Sequence, residues 1–183
     1  MEYGTEYTGD SNESMKIYTY PAEVLRNTAQ PVTEITGRTQ QLIDGMAKTM
    51  YAAPGIGLAA NQVGSLHRII VFDLTPREDG PKLQVLINPE IIEAEGEITY
   101  EESCLSVIDY SAEVTRSARV HVQGWDRDGR PVELEAEGIL AVCLQHEIDH
   151  LDGVLYIDHI SNLKRALYKK KLKKLIKKNH PPG

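Results

Sequence analysis

Residues Glu137 to Leu151 read EGILAVCLQHEIDHL and are followed at once by Asp152-Gly153. The spacing predicts a helix that stops at this Asp-Gly pair. His146 and His150 are four apart, one turn along the same face, so both imidazoles can reach one metal ion. Glu147, beside the first histidine, is placed to act as a general base on water. Ile139, Val142 and Cys143 lie on the same stripe as the two histidines, as the wall of an apolar pocket would. Leu140, Leu144 and Leu151 turn toward a core. The plainer alternatives are an incidental histidine pair on a partly exposed helix, with Ile139 and Val142 as ordinary core.

A catalytic metal site needs a third protein ligand. Zinc endopeptidases with this motif take theirs downstream. One group requires a histidine ten positions after the first, and that position here is Tyr156, although Gly153 supplies the intervening glycine. Another requires a downstream glutamate, and no Glu follows Glu147. The third ligand is therefore expected upstream, and Cys104 is the better candidate because a thiolate suits Zn²⁺ or Fe²⁺. Cys143 competes, but it sits seven residues from His150, about 10.5 Å along a helix axis. It is assigned to the pocket wall as a small buried hydrophobe.

Outward from this helix, Gln40 to Tyr51 carries Leu42, Ile43, Met46, Ala47 and Met50 at helical spacing and ends before Ala53-Pro54-Gly55. Strands are expected at Arg68–Leu74, Leu83–Asn88, Ile91–Tyr100, Ala118–Trp125 and Val132–Ala136. The order predicts an α+β fold, mainly antiparallel sheets around a central metal-binding helix, with a C-terminal helix. Residues 1–14 are read as a flexible extension, and 15–183 as a single domain. That domain ends in a basic helix within residues 161–178, from Leu163 to Lys178, stopped by Pro181-Pro182-Gly183.

At 183 residues, with 41% hydrophobic and 26% charged side chains, a disordered chain is excluded. The longest uncharged apolar stretch, Gly138 to Leu144, is far shorter than the roughly 20 residues of a membrane span. Glu2, Glu6, Asp10 and Glu13 argue against a signal or transit peptide, so a cytoplasmic protein with no membrane partner is expected. Two cysteines are too few for a disulfide scaffold. The net charge of −7 hides an asymmetry: the first 163 residues carry −16 and the last 20 carry +9.

Three segments together resemble the peptide deformylases: Gly55-Ile56-Gly57-Leu58-Ala59-Ala60-Asn61-Gln62, Glu102-Ser103-Cys104-Leu105-Ser106, and Gln145-His146-Glu147-Ile148-Asp149-His150. The resemblance runs from about Ile17 into the tail. It implies hydrolysis of the formyl group from the N-terminal formylmethionine of nascent polypeptides. Cys104, His146 and His150 would hold one divalent metal, Fe²⁺ natively, with Zn²⁺, Ni²⁺ or Co²⁺ able to replace it. Glu147 would be the base, while the Gln62 amide and the Leu105 backbone N–H would stabilise the oxyanion. Ile56 and Gly57 would pair with the peptide backbone. Ile56, Ile139, Val142 and Cys143 would enclose the methionine. An Arg116–Asp149 pair would support the ligand helix.

The second motif carries Ser103 where the family usually has glycine; after it, Ile108 stands where the family has proline and Ser111 where many relatives have arginine. These departures bear on substrate contacts, and a changed acyl preference is one alternative. A metal endopeptidase and a non-enzymatic metal-stabilised module are two more, the latter set against by the presence of Glu147. The basic tail has a plain reading as a solvated amphipathic helix. Anionic lipid and RNA are further candidates, and the resemblance favours docking on the ribosome near the exit tunnel.

Overall fold

The computed structural model describes residues 14–179. Most of the expected N-terminal extension and the Pro181-Pro182-Gly183 stop lie outside the described residues. Helix α1 spans Gly37–Ala52, α2 Gly138–Leu151 and α3 Asn162–Asn179. α1 begins three residues before the expected start because Thr36 caps it: its hydroxyl accepts from the Thr39 N–H, and the Thr39 hydroxyl accepts from the Thr36 N–H.

Seven strands run in chain order: β1 Gly57–Ala59, β2 Ile69–Phe72, β3 Gln84–Glu95, β4 Ile98–Cys104, β5 Val107–Arg116, β6 Arg119–Trp125 and β7 Pro131–Glu137. They form an antiparallel five-stranded sheet in the order β1-β2-β3-β6-β7 and a separate β4-β5 hairpin. The α+β expectation holds, but its strand boundaries need correction. Leu83–Asn88 and Ile91–Tyr100 are not two strands. β3 runs through Pro89, where the register slips between Ile87 and Glu90 and Asn88 adopts φ 52. A bulge absorbs the N–H that proline lacks. The break falls instead at Gly96, whose φ of 65 turns the chain into β4. β1 and β5 lie outside the expected strands.

β2 shows how the layers form. Its four residues are all buried, and alternation sends Ile69 and Val71 into the cluster beneath α1, and Ile70 and Phe72 into the cluster beneath α2. The sheet is thus covered on both faces, and α2 crosses one of them from β1 to β7 with Ala141, Leu144 and Leu151 in the core. A third cluster joins β5, the Leu155–Ile160 segment and α3 through Tyr168 and Leu172. Tyr168 stacks on Tyr110 at 4.6 Å, and Tyr110 on Tyr156 at 6.4 Å. The first half of α3 is therefore anchored in the body. Tyr168→Ala is expected to lower unfolding stability by about 3 kcal/mol, the cost of an emptied aromatic site. Urea denaturation checks this, and a loss under about 1 kcal/mol would mean that α3 is only loosely attached.

Candidate metal centre

Two elements meet at the site. α2 presents His146 and His150, their rings 5.0 Å apart and near perpendicular. β4 ends at Cys104, whose Sγ lies 3.1 Å from His150 Nε2. One ligand atom from each of Cys104, His146 and His150 lies within 4.8 Å of the others, the one such group among the described residues. Cys143 is not part of it: it is 4% exposed, and burial pushes its thiol well up, as a pocket-wall residue requires.

The residues fit a divalent cation. A sulfur and two imidazoles suit Zn²⁺ or Fe²⁺ and leave a coordination position open. Cys104 Sγ accepts from the Ser106 N–H at 3.4 Å and from Gln62 Nε2 at 3.5 Å. His146 Nδ1 sits 2.7 Å from Glu102 Oε2, which directs Nε2 away from the carboxylate, toward a metal. Burial lowers His150 well below the usual imidazole range, whereas for His146 the contacts with Cys104 and Glu102 outweigh burial and push it well up, so that ring gives up a proton when it binds a cation. Glu147 Oε2 is buried without a hydrogen-bond partner, an acceptor held ready beside the group.

Behind the ligands runs a chain of charges. Burial would raise the Glu102 carboxyl, but His146 and Arg116 outweigh it and hold Glu102 at about 2. Arg116 grips both Glu102 oxygens, at 2.7 and 3.1 Å, and reaches Asp149 at 2.5 Å. Asp149 in turn meets His159 at 2.7 Å. The expected Arg116–Asp149 pair is therefore the middle of a longer line, His159–Asp149–Arg116–Glu102–His146.

In front of the ligands lies a cleft of about 360 Å³. Every remaining residue singled out for the site lines it: Ile56, Gly57, Gln62, Ser103, Leu105, Ile139, Val142 and Glu147. Val142 and Cys143 form a buried floor, whereas Ile56, Tyr100 and Ile139 are 45%, 40% and 43% exposed at the mouth. Burial pushes the Glu147 carboxyl up to about 7, with Glu102 adding to this and His146 and Arg116 opposing it. Gln62 is fixed by its own contacts: Oε1 accepts from the Ala59 N–H at 2.8 Å and Nε2 donates to Ser106 Oγ at 3.1 Å. β1 is an edge strand, paired only with β2 within its sheet.

Sequence reasoning gave no role to Glu102, Ser106, Tyr156 or His159. A signal existed for Glu102, since strand alternation sets a residue two before Cys104 on the same side. None existed for Tyr156, which stacks on His146 at 5.9 Å and donates its hydroxyl to the Tyr110 carbonyl at 2.7 Å.

The polypeptide deformylase family profile matches residues 14–166. The peptide deformylase of Thermodesulfovibrio yellowstonii is 56% identical over 159 residues, 87% of this chain and 96% of that protein. That of Desulfosudis oleivorans is 50% identical over 164 residues, 89% and 95% of the two. Among solved structures, a peptide deformylase from Legionella pneumophila superposes with a TM-score of 0.85 at 42% identity, covering 93% of this chain and all of that one. An Acinetobacter baumannii peptide deformylase bound to Met-Ala-Ser gives 0.75 at 32%, covering 81% and 99%.

Proposed function

This chain belongs to the peptide deformylase family, hydrolases that take the N-formyl group from nascent polypeptides, and we propose how its residues do so. Cys104, His146 and His150 hold one divalent cation, Fe²⁺ in the cell, with Zn²⁺, Ni²⁺ or Co²⁺ accepted by the same donors. Such a cation supplies Lewis acidity, polarising the formyl oxygen and easing deprotonation of water. The methionine side chain enters between Ile139, Val142, Cys143 and Ile56, on the apolar side of the cleft. The peptide backbone lies along the open edge of β1 at Ile56 and Gly57. Ser103, on the facing wall, is the other contact to the peptide backbone.

Glu147 Oε2 takes a proton from the attacking water and delivers it to the departing nitrogen. The formyl C–N bond breaks, and formate and a free amine leave. Gln62 Nε2 and the Leu105 N–H meet the charge on the formyl oxygen: Ser106 Oγ and the Ala59 N–H hold the Gln62 amide, and the N–H that rests on Cys104 Sγ at 3.5 Å is the one that turns to the substrate. The Arg116–Glu102 pair keeps His146 in one tautomer. The observation that carries this reading is the cluster of Cys104, His146 and His150 with buried Glu147 at the foot of a cleft partly walled by apolar side chains. It is tested by formate release from formyl-Met-Ala-Ser by Fe²⁺-loaded protein. Formate without cleavage of any peptide bond supports it, and peptide-bond cleavage would overturn it.

Gly57 bears on the same step. A Cβ there would lie 2.4 Å from Glu147 Oε1, so Gly57→Ala must displace the base. A shift of about 1 Å costs roughly 10²-fold in rate. That loss is expected in kcat, and an unchanged kcat would place the base elsewhere.

Access to nascent chains is proposed to come from docking of α3 on the ribosome near the exit tunnel, in the cytoplasm. The +9 of the last 20 residues, against −16 before them, and the exposed Leu163 and Leu167 support this. No helix among the described residues is long and apolar enough to cross a membrane. Co-sedimentation with ribosomes that weakens with salt is the expected result, and recovery in the supernatant at low salt would refute it.

A further inference from the structure

Pro54, Gly55 and Ile56 separate the cleft from a second groove and line both, and Gly57 follows as the first residue of β1. β1 has only three residues and lies at the sheet edge, so its own ladder gives this wall little hold. Asp73, the residue after β2, supplies more. Its N–H donates to the Ile56 carbonyl at 2.9 Å, one bond beyond the Gly57–Phe72 pair. Asp73 is buried, and its carboxylate gathers three donors. The Tyr51 hydroxyl donates to Oδ2 at 2.7 Å and the Lys82 N–H at 2.6 Å, while the Thr75 N–H reaches Oδ1 at 2.8 Å. Asp73 thereby joins the last turn of α1, the strand edge and both ends of the 74–82 loop. Arg77 closes the same corner by donating to the Tyr51 carbonyl at 3.1 Å. Tyr51 and Asp73 line the second groove and not the cleft, so neither touches the peptide.

We infer that Tyr51, through its hydroxyl bond to Asp73, is a positioning residue that holds the Ile56 end of the β1 edge in place for the peptide backbone. The inference rests on the deformylase reading and deepens it by naming what keeps the peptide-binding edge ordered. The hydroxyl and the two loop N–H groups fix the Asp73 carboxylate, and the Asp73 N–H then fixes the Ile56 carbonyl. Without the hydroxyl, Oδ2 keeps only the Lys82 N–H, and the end of α1 is released from Asp73. The edge then has more conformations to lose when a peptide binds, which weakens binding. Removal of one such hydrogen bond corresponds to roughly three- to tenfold. The chemical step is spared. Gly57 stays paired with Phe72 against Glu147, and no hydrogen bond joins Tyr51 or Asp73 to Glu147 or to Cys104, His146 and His150 among the described residues.

The test measures kcat and KM for formyl-Met-Ala-Ser and for formyl-methioninamide, which lacks the backbone that follows. It uses Fe²⁺-loaded wild type, Tyr51→Phe, Asp73→Asn and the double variant. Tyr51→Phe keeps the ring and the carbonyl that Arg77 binds, so the hydroxyl alone is removed. In Tyr51→Phe, KM for the tripeptide should rise roughly three- to tenfold with kcat within about twofold of wild type. KM for formyl-methioninamide should rise less. Because the two side chains act through one bond, the double variant should lose less than the product of the single losses. A merely structural role would lower the urea midpoint and leave both KM values unchanged, which would overturn the inference. An equal rise for both substrates, or single losses that multiply in the double variant, would overturn it too. Those results leave deformylation itself standing. Failure of the wild type to release formate from either substrate would overturn the deformylase reading and this inference with it.

Discussion

Glu147→Gln lowers formate release by roughly 10²- to 10⁴-fold while one metal ion per chain is still bound. The amide keeps the shape of the side chain against Gly57 and leaves Cys104, His146 and His150 untouched, so only proton transfer is lost. Two further readouts separate a base from a packing residue. The acid limb of the wild-type pH–rate profile, where the carboxylate gains a proton and the rate falls, should vanish in the variant. The second readout is stability of the metal-free protein. Burial raises the folded-state carboxyl from 4.5 to about 7. A carboxyl raised on folding binds its proton more tightly in the folded state, so stability falls as pH climbs from about 4.5 through about 7. The glutamine variant escapes that loss. It should be more stable than wild type at pH 8 and not at pH 4. A variant that retains activity within about tenfold would remove Glu147 from the chemistry.

Arg116→Ala carries the other large effect, and it is structural first. The guanidinium is 4% exposed and binds Glu102, which is 3% exposed, together with the partly exposed Asp149. Truncation strands a buried carboxylate, which costs about 3–5 kcal/mol. It also frees Glu102 to move, and with it His146, so metal affinity should drop by roughly 10- to 100-fold. The pH dependence comes from Glu102. Despite burial, its bonds to His146 and Arg116 hold it at about 2 against an ordinary 4.5. A carboxyl depressed on folding stabilises the protein fully above about 4.5, and that contribution disappears as pH falls through about 2. Without Arg116 the acid-unfolding transition should move to higher pH. Urea denaturation and competition with a chelator measure the two effects. A loss under about 1 kcal/mol with unchanged metal affinity would mean that Arg116 supports neither the fold nor the ligand helix.

The same contrast explains what could be read from the chain alone. α2 was legible because its information is local: spacing four apart fixes which side chains share a face, and Asp152-Gly153 marks the stop. Cys104 was found because downstream alternatives could be struck off one by one. The resemblance then placed Gln62, Leu105, Ile56 and Gly57, all of which line the cleft. The hidden features depend on partners far apart in sequence. β5 carries a local alternation, Tyr110, Ala112 and Val114 between Asp109, Ser111, Glu113 and Thr115, that went unread, while its register against β4 exists only in the folded hairpin. Glu102 carried a role that needs Arg116 and His146, 14 and 44 positions away. Tyr156 argued only against a downstream ligand, yet it packs on the ligand His146. Pro89 misled because a bulge in the register tolerates it.

Formate release titrated against Fe²⁺ per chain bears most directly on the proposal that one cation, held by Cys104, His146 and His150, serves the deformylation of formylmethionyl peptides. Formate release from formyl-Met-Ala-Ser should rise linearly to one equivalent and then stay level, with Cys104→Ala at background throughout. Full turnover by the metal-free protein, or by Cys104→Ala, would contradict it.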